Sequence, residues 1–395
     1  MTDTTESDRT PLALSDAEAP PPADRKALSD RLPRAWMFPL LAFAAAWVLI
    51  LTTWNVANAI YGSMSWERYF WYDDSGFYGA LARLGYGSAS PAVPHSHPDR
   101  AAFFPFYPAV IRAAMYVTGN VIVAGLIVQI LAGAASAVAV WALASHIYGH
   151  RVADRAVLLY CAFPGAFVLG VMYSEPLAIF LATCCLLAVL HRKWLLAGVL
   201  ALLAGATHST MWILTPLLAV VAIHAIWTRR DWRSLLAPAL APLGIIAFFA
   251  YVGPMFHSYL FYFRLEREHW HARIDFGAHE LSVLLWIYPG AHEHPLLYGL
   301  LVAMFWIAVI GIALLIASRA PWPVTLYTVL VLISFCISNA DIRPRYDLTM
   351  VGIFLGYAAK LPTWLFWPVL IVSAGLMACL VGYYPTHLHS LHLPP

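Results

Sequence analysis

Four polar clusters interrupt an otherwise apolar chain, and their residue types define the chemistry to consider. Asp73 and Asp74 form an acidic pair, and Glu175 follows Tyr173 and Ser174. His208, Ser209 and Thr210 break the long apolar run that begins at Trp194, and Arg343, Arg345, Tyr346 and Asp347 gather towards the C-terminal end. A positioned carboxylate can take a proton as general base, worth about 10²–10⁴ in rate. A guanidinium grips phosphate or carboxylate oxygens in bidentate fashion and stays charged. An imidazole changes charge with pH. Acid–base work on a substrate that carries an anion is within reach of this set.

Plainer explanations exist for each. Asp73 in a loop can simply be solvated. Glu175 can be a carboxylate at a helix N-terminus, favoured by the dipole. His208 can be a hydrogen-bonded turn residue, and Arg343 and Arg345 can snorkel to lipid headgroups. The paired histidines (His95 and His97, His269 and His271, His292 and His294) suggest a metal. Alternate spacing without a fixed secondary structure does not orient the rings, so that suggestion carries little weight.

The elements that must position these residues are membrane helices. Hydrophobic residues make up 61% of the 395 and charged residues 11%, against roughly 25% charged in a soluble domain. Mean hydropathy is +0.70. No Asp, Glu, Lys or Arg occurs in 35–66, 113–150, 194–228, 234–263 or 361–395. A bilayer core needs about 20 apolar residues per helix, and lipid offers no partner for backbone polar groups, so the fold class is all-α and polytopic. The short alternating segments of a β-barrel are absent. About eleven spans are expected, at 36–60, 120–147, 156–174, 176–191, 194–207, 210–228, 234–256, 295–318, 321–338, 346–360 and 363–384. The five cysteines lie in apolar runs and read as small buried hydrophobes. The net charge of +2 says nothing about nucleic acid, but the basic residues sit in pairs at helix ends rather than in a stripe, and no nucleic-acid partner is expected. No internal repeat stands out.

Residues 1–34 are polar and rich in Asp, Pro and Ala, which predicts a disordered tail, and 35–395 form the membrane domain. Arg25, Lys26, Arg31 and Arg34 precede the first span and put that end in the cytoplasm. Alternation then leaves Arg151, Arg155, Arg192, Lys193, Arg229, Arg230, Arg233, Arg319 and Lys360 inside as well. Two long segments, about 61–119 and 257–294, fall outside. The first has room for short amphipathic helices at 74–84 and 107–117. All four polar clusters fall on the outer side, although they took no part in setting the topology. Polar groups in membranes are often functional.

Four stretches resemble the PIG-V family of membrane mannosyltransferases, in its bacterial branch. Asp74, Phe77, Tyr78, Ala82, Gly85 and Tyr86 match the spacing of that family's first motif. The run Ala102-Phe103-Phe104-Pro105-Phe106-Tyr107-Pro108 with Ile111-Arg112 is the most specific. Phe163-Pro164 leading to Tyr173-Ser174-Glu175, and Arg345-Tyr346, complete the set. Two departures stand out: the family has Trp where this chain has Asp73, and commonly Arg where His208 stands.

The resemblance implies a GT-C fold and transfer of a sugar, mannose by family habit, from a polyprenyl-phosphate donor to an acceptor hydroxyl on a glycolipid, glycan or protein. The reaction would run on the extracytoplasmic face of a bacterial cell membrane. Asp74 stands at the family's Asp position and is the expected base. The leaving phosphate needs positive charge, for which Arg343 and Arg345 are suited, with His208 as a further donor. Glu175, Asp73 and Tyr346 complete the expected substrate-binding set. A base and a leaving group on opposite sides of the sugar predict inversion through an oxocarbenium-like transition state. The aromatic run 103–107 would pack against the prenyl chain, shape the acceptor groove, or form an aromatic belt. No cofactor is required. Asp73 and Asp74 could recruit a divalent metal, but two adjacent carboxylates make a poor site. The rival class is a transporter or flippase of a lipid-linked sugar, for which inverted repeats would be expected.

Overall fold

The structure is a computed structural model that describes residues 23–62, 65–71, 73–87, 98–269, 271–338 and 343–391. It divides into two units, Met1–Met37 and Phe38–Pro395, and the second is described below. The expected polar tail lies largely outside the described residues.

Among the described residues the chain is helical, apart from one isolated bridge between Ile274 and Ser338. Six helices among the described residues are long and apolar enough to cross a membrane: Met37–Tyr61, Val121–Tyr148, Ser209–Arg229, Trp232–Phe256, Pro295–Ala317 and Thr363–Tyr383. Each coincides with an expected span. The protein is a multi-pass membrane protein. The expected surface helices are present too, as Asp74–Leu84 and Phe106–Thr118.

The remaining expected spans depart from straight helices. The third, expected at 156–174, is a pair, His150–Ala162 and Pro164–Gly170, bent by 76°. Phe163 precedes a proline and is extended (ψ 146°), as the clash with a proline ring requires. The tenth, expected from residue 346, begins only at Val351, because Pro344–Asp347 forms a separate turn with proline at its start.

Four apolar helices are short: Glu175–Leu190 and Trp322–Ile337 with 16 residues each, Trp194–Gly205 with 12, and Val351–Lys360 with 10. Sixteen residues rise about 24 Å, less than the roughly 30 Å of a hydrocarbon core. The ends that fall short carry the polar clusters. Glu175 opens one of these helices, His208 follows another, and the 343–347 segment leads into a third. Irregular backbone at such depth is tolerated where protein buries it or a cavity faces it.

Buried polar bonds lock the breaks in place. Gln129, in the middle of a span and fully buried, donates from Nε2 to the Val168 carbonyl at 2.6 Å and accepts from the Tyr107 hydroxyl at 2.7 Å. The Phe106 N–H donates to the Ala206 carbonyl at 2.8 Å, joining the aromatic run to the break at His208. Tyr327 donates to the Thr349 carbonyl at 2.9 Å.

The bend at Pro164 brings Gly165 against the backbone of Pro344 and Arg345, with no room for a Cβ. Gly165→Ala is expected to destabilise by about 1–3 kcal/mol through overpacking. Gly299→Ala, in helix Pro295–Ala317 with open space around it, is expected to be neutral or stabilising by about 0.5–1 kcal/mol. Thermal unfolding of the two variants in detergent is the measurement.

Candidate active site

Asp74 is the first residue of helix Asp74–Leu84, where the helix dipole favours a carboxylate. The chain enters this helix through Asp73, whose φ of 54° lies in the left-handed region. For a non-glycine residue that costs free energy and persists only when surroundings impose it. Ser75, Gly76, Tyr78, Gly79, Ala80, Leu81 and Ala82 form the buried face of the helix. Gly79 leaves space for the Trp71 ring, which a Cβ would strike.

Arg345 comes from the turn Pro344–Asp347 and meets Asp74 across 271 positions of sequence: Nη1 donates to Oδ2 at 2.7 Å. Both side chains are largely buried, at 9% and 16% exposure. Nη2 donates to the Tyr346 hydroxyl at 3.1 Å. Nε lies 3.9 Å from Glu175 Oε1, and the rings of Tyr346 and Tyr173 lie 5.0 and 5.4 Å from the guanidinium carbon. Burial opposes the charge of Arg345, but Tyr346, Asp74 and Glu175 around it prevail, and its pKa is raised rather than lowered. Behind this group the Tyr78 hydroxyl shares a 2.6 Å hydrogen bond with Ser174.

His208 Nδ1 accepts from the Thr210 N–H at 3.2 Å, which leaves Nε2 as the protonated nitrogen of a neutral ring. Burial, helped by the positive charge of Arg345, pushes its pKa down to about 3. At this position the chain therefore carries a neutral donor.

These groups face one cavity of about 600 Å³, which Asp74, Glu175, His208, Arg345 and Tyr346 all line. The volume is that of a small-molecule site. Asp73 and Arg343, expected in the same set, do not line it. Asp73 lies 3.5 Å from the Tyr173 hydroxyl, and Arg343 caps the turn that carries Arg345. Asp347 is fully buried, and neither of its carboxylate oxygens has a partner among the described residues. Burial, and then Glu280 nearby, raise its pKa well above the ordinary range. His95 and His97 lie outside the described residues. Among the described residues no three His, Cys, Asp or Glu side chains converge as a metal would require.

Phe103 and Phe104 of the aromatic run also line the cavity. The sequence patterns missed its other residues, among them Trp212 after the His208 break. Tyr262, Phe263, Glu266 and Arg267 come from the short helix Phe261–His269, and Arg273 follows. In sequence, 264–268 reads as a solvated charge run. Helix Phe261–His269 places Tyr262 and Glu266, four apart, on one face. The Tyr262 hydroxyl accepts from Ser209 and donates to Glu266, whose pKa burial pushes up to about 7. Arg267 and Arg273 are exposed.

Residues 96–256, less than half of the chain, match the family model described as dolichyl-phosphate-mannose-protein mannosyltransferase. No curated protein matches the sequence. The crystal structure of ArnT from Cupriavidus metallidurans bound to undecaprenyl phosphate aligns with a TM-score of 0.52 and 16% identity, over 86% of this chain and 63% of that one. The apo state of ArnT gives 0.48 and 17%, over 88% and 65%. The archaeal oligosaccharyltransferase AglB from Archaeoglobus fulgidus, in complex with an inhibitory peptide and a dolichol-phosphate, gives 0.46 and 14%, over 89% and 56%. The chain thus spans less than two thirds of the length of these structures. At such identities the likeness is one of fold, and the chain is an all-helical, polytopic membrane protein with the GT-C architecture of ArnT.

Proposed function

We propose that this protein is an integral membrane glycosyltransferase that moves a sugar from a polyprenyl-phosphate donor to an acceptor hydroxyl, with inversion, on the extracytoplasmic side. The observation that carries it is the Asp74–Arg345 pair beside Glu175 on the wall of a 600 Å³ cavity. The GT-C fold, the family-model match and the prenyl phosphates named with the two similar structures support the same reading. Mannose as the sugar, and the PIG-V-like branch, rest on the sequence motifs and on the description of the matching family.

Asp74 is the base. Its Oδ2 is held by Arg345, while Oδ1 has no partner among the described residues and is open to an acceptor hydroxyl. As the acceptor oxygen attacks the anomeric carbon, its proton passes to Asp74 and the phosphate leaves with the bonding pair. Arg345 positions the base. With two carboxylates around it, its charge is already balanced, so the leaving phosphate falls to the exposed Arg267 and Arg273 at the same cavity. His208 adds a neutral N–H. Inversion requires the attacking hydroxyl at Asp74 and the leaving phosphate to lie on opposite sides of the anomeric carbon.

Two experiments test this in lipid nanodiscs supplied with labelled polyprenyl-phosphate-mannose and membrane-extracted acceptors. Asp74→Asn keeps the size of the side chain and removes the base, so transfer should fall at least about a hundredfold. Equal transfer by variant and wild type would remove Asp74 as base. Arg345→Gln leaves two buried carboxylates without a counter-charge and is expected to destabilise by about 3–5 kcal/mol. In the Asp74→Asn background the same change should cost clearly less, since the two effects couple through one bond. Thermal unfolding of the four proteins of the cycle measures it. Additive losses would mean that the pair does not hold the site together.

A further inference from the structure

One wall of the cavity has no task in the proton transfer. It is built from 209–212 after the His208 break and from helix Phe261–His269. Glu266 sits there without a cationic partner among the described residues. Its polar neighbour is the Tyr262 hydroxyl, which also interacts with Ser209. A carboxylate accepts about four hydrogen bonds, so most of its capacity faces the cavity unused. Beside it the Trp212 ring packs against Tyr262 at 5.6 Å and Phe104 at 6.0 Å. Its indole N–H is buried with no partner among the described residues. A wall with a rigid carboxylate, an unanswered N–H and flat aromatic faces asks for a ligand with adjacent donors, an acceptor and an apolar face.

At Glu266 itself an anion is disfavoured: Arg345 is engaged by Asp74 and Glu175, Arg267 and Arg273 at the same cavity are assigned to the phosphate, and a carboxylate calls for hydrogen-bond donors. A neutral polyol fits: its vicinal hydroxyls donate to one carboxylate, and its C–H face stacks on aromatic rings.

Building on the glycosyltransferase reading, we infer that Glu266, with Trp212 beside it, is the sugar-recognising group of the cavity and binds two adjacent hydroxyls of a neutral hexose on the donor lipid. Glu266 takes no proton in the transfer. It sets which sugar is accepted and how the anomeric carbon faces Asp74. The titratable and charged groups around it are Asp74, Glu175, His208, Arg267, Arg273, Arg345, Tyr262 and Tyr346 at the cavity, and the buried Arg100 from the turn that packs on the same helix. Because burial holds Glu266 near 7, the ionised form, which accepts hydroxyls best, gains population from pH 6 to pH 8. Sugar recognition should strengthen over that interval.

The test is binding to the full chain in nanodiscs, by native mass spectrometry, with four probes: polyprenol, polyprenyl phosphate, polyprenyl-phosphate-mannose and polyprenyl-phosphate-glucose. Wild type should prefer at least one sugar-bearing lipid over the bare phosphate by about tenfold, and the preference should rise from pH 6 to pH 8. Glu266→Gln should abolish that preference and its pH step while keeping the preference for polyprenyl phosphate over polyprenol. Trp212→Phe should reduce it severalfold. An unchanged sugar preference in Glu266→Gln overturns the inference, as does equal loss of bare-phosphate binding, which marks a structural or phosphate-holding role. Failure of wild type to prefer polyprenyl phosphate over polyprenol would instead overturn the proposed function itself.

Discussion

A guanidinium cannot be buried alone. Stripping Arg345 of water costs several kcal/mol unless opposite charge and hydrogen bonds replace the lost solvation. Here the replacement comes from Asp74, Glu175 and the Tyr346 hydroxyl, and those groups belong to three stretches far apart in the chain. The pair therefore acts as a register mark for the bundle. The turn at Pro344, the start of helix Asp74–Leu84 and the start of helix Glu175–Leu190 must all meet, or a charge is stranded. The bend at Pro164 serves the same meeting, since Gly165 lets the 344–345 backbone approach.

The short helices follow from this constraint. Polar side chains are costly in lipid and are tolerated where they face a cavity or one another. Full-length spans would push Glu175, His208 and Arg345 either to the membrane surface or into hydrocarbon. Ending helices early, at Glu175, after Gly205 and before Val351, buries the polar ends against one another and leaves a cavity between them. The strained backbone at Asp73 belongs to the same arrangement, because it turns the chain so that the next residue, Asp74, opens its helix at the cavity.

Much of this was legible in the sequence. Charge-free runs marked the spans, because lipid forbids charge whatever the detailed packing. Asp74, Glu175, His208, Arg345 and Tyr346 stood out as polar residues where apolar ones are the rule, and all five line the cavity. Two kinds of feature were hidden. One was pairing: no local pattern says that Arg345 faces Asp74 rather than a ligand, because a guanidinium suits carboxylate and phosphate alike. The other was context. Glu266 sits in a charge-rich stretch where a carboxylate is unremarkable, and only the fold of 261–269 as a helix packed on the aromatic cluster separates it from Glu268 beside it. Asp73 and Arg343 are the converse, adjacent to site residues in sequence but turned to other partners.

Gln129 also constrains the order of assembly. Its amide sits in mid-span, where an unsatisfied polar group costs several kcal/mol. Its partners are Tyr107, made earlier on the ribosome, and the carbonyl of Val168, made later. Helix Val121–Tyr148 can thus leave the insertion machinery with half of its polar demand met by the segment that precedes it. It completes that demand only when the bent segment folds back against it. A glutamine in one helix thus ties the docking of the aromatic run to the closing of the bend.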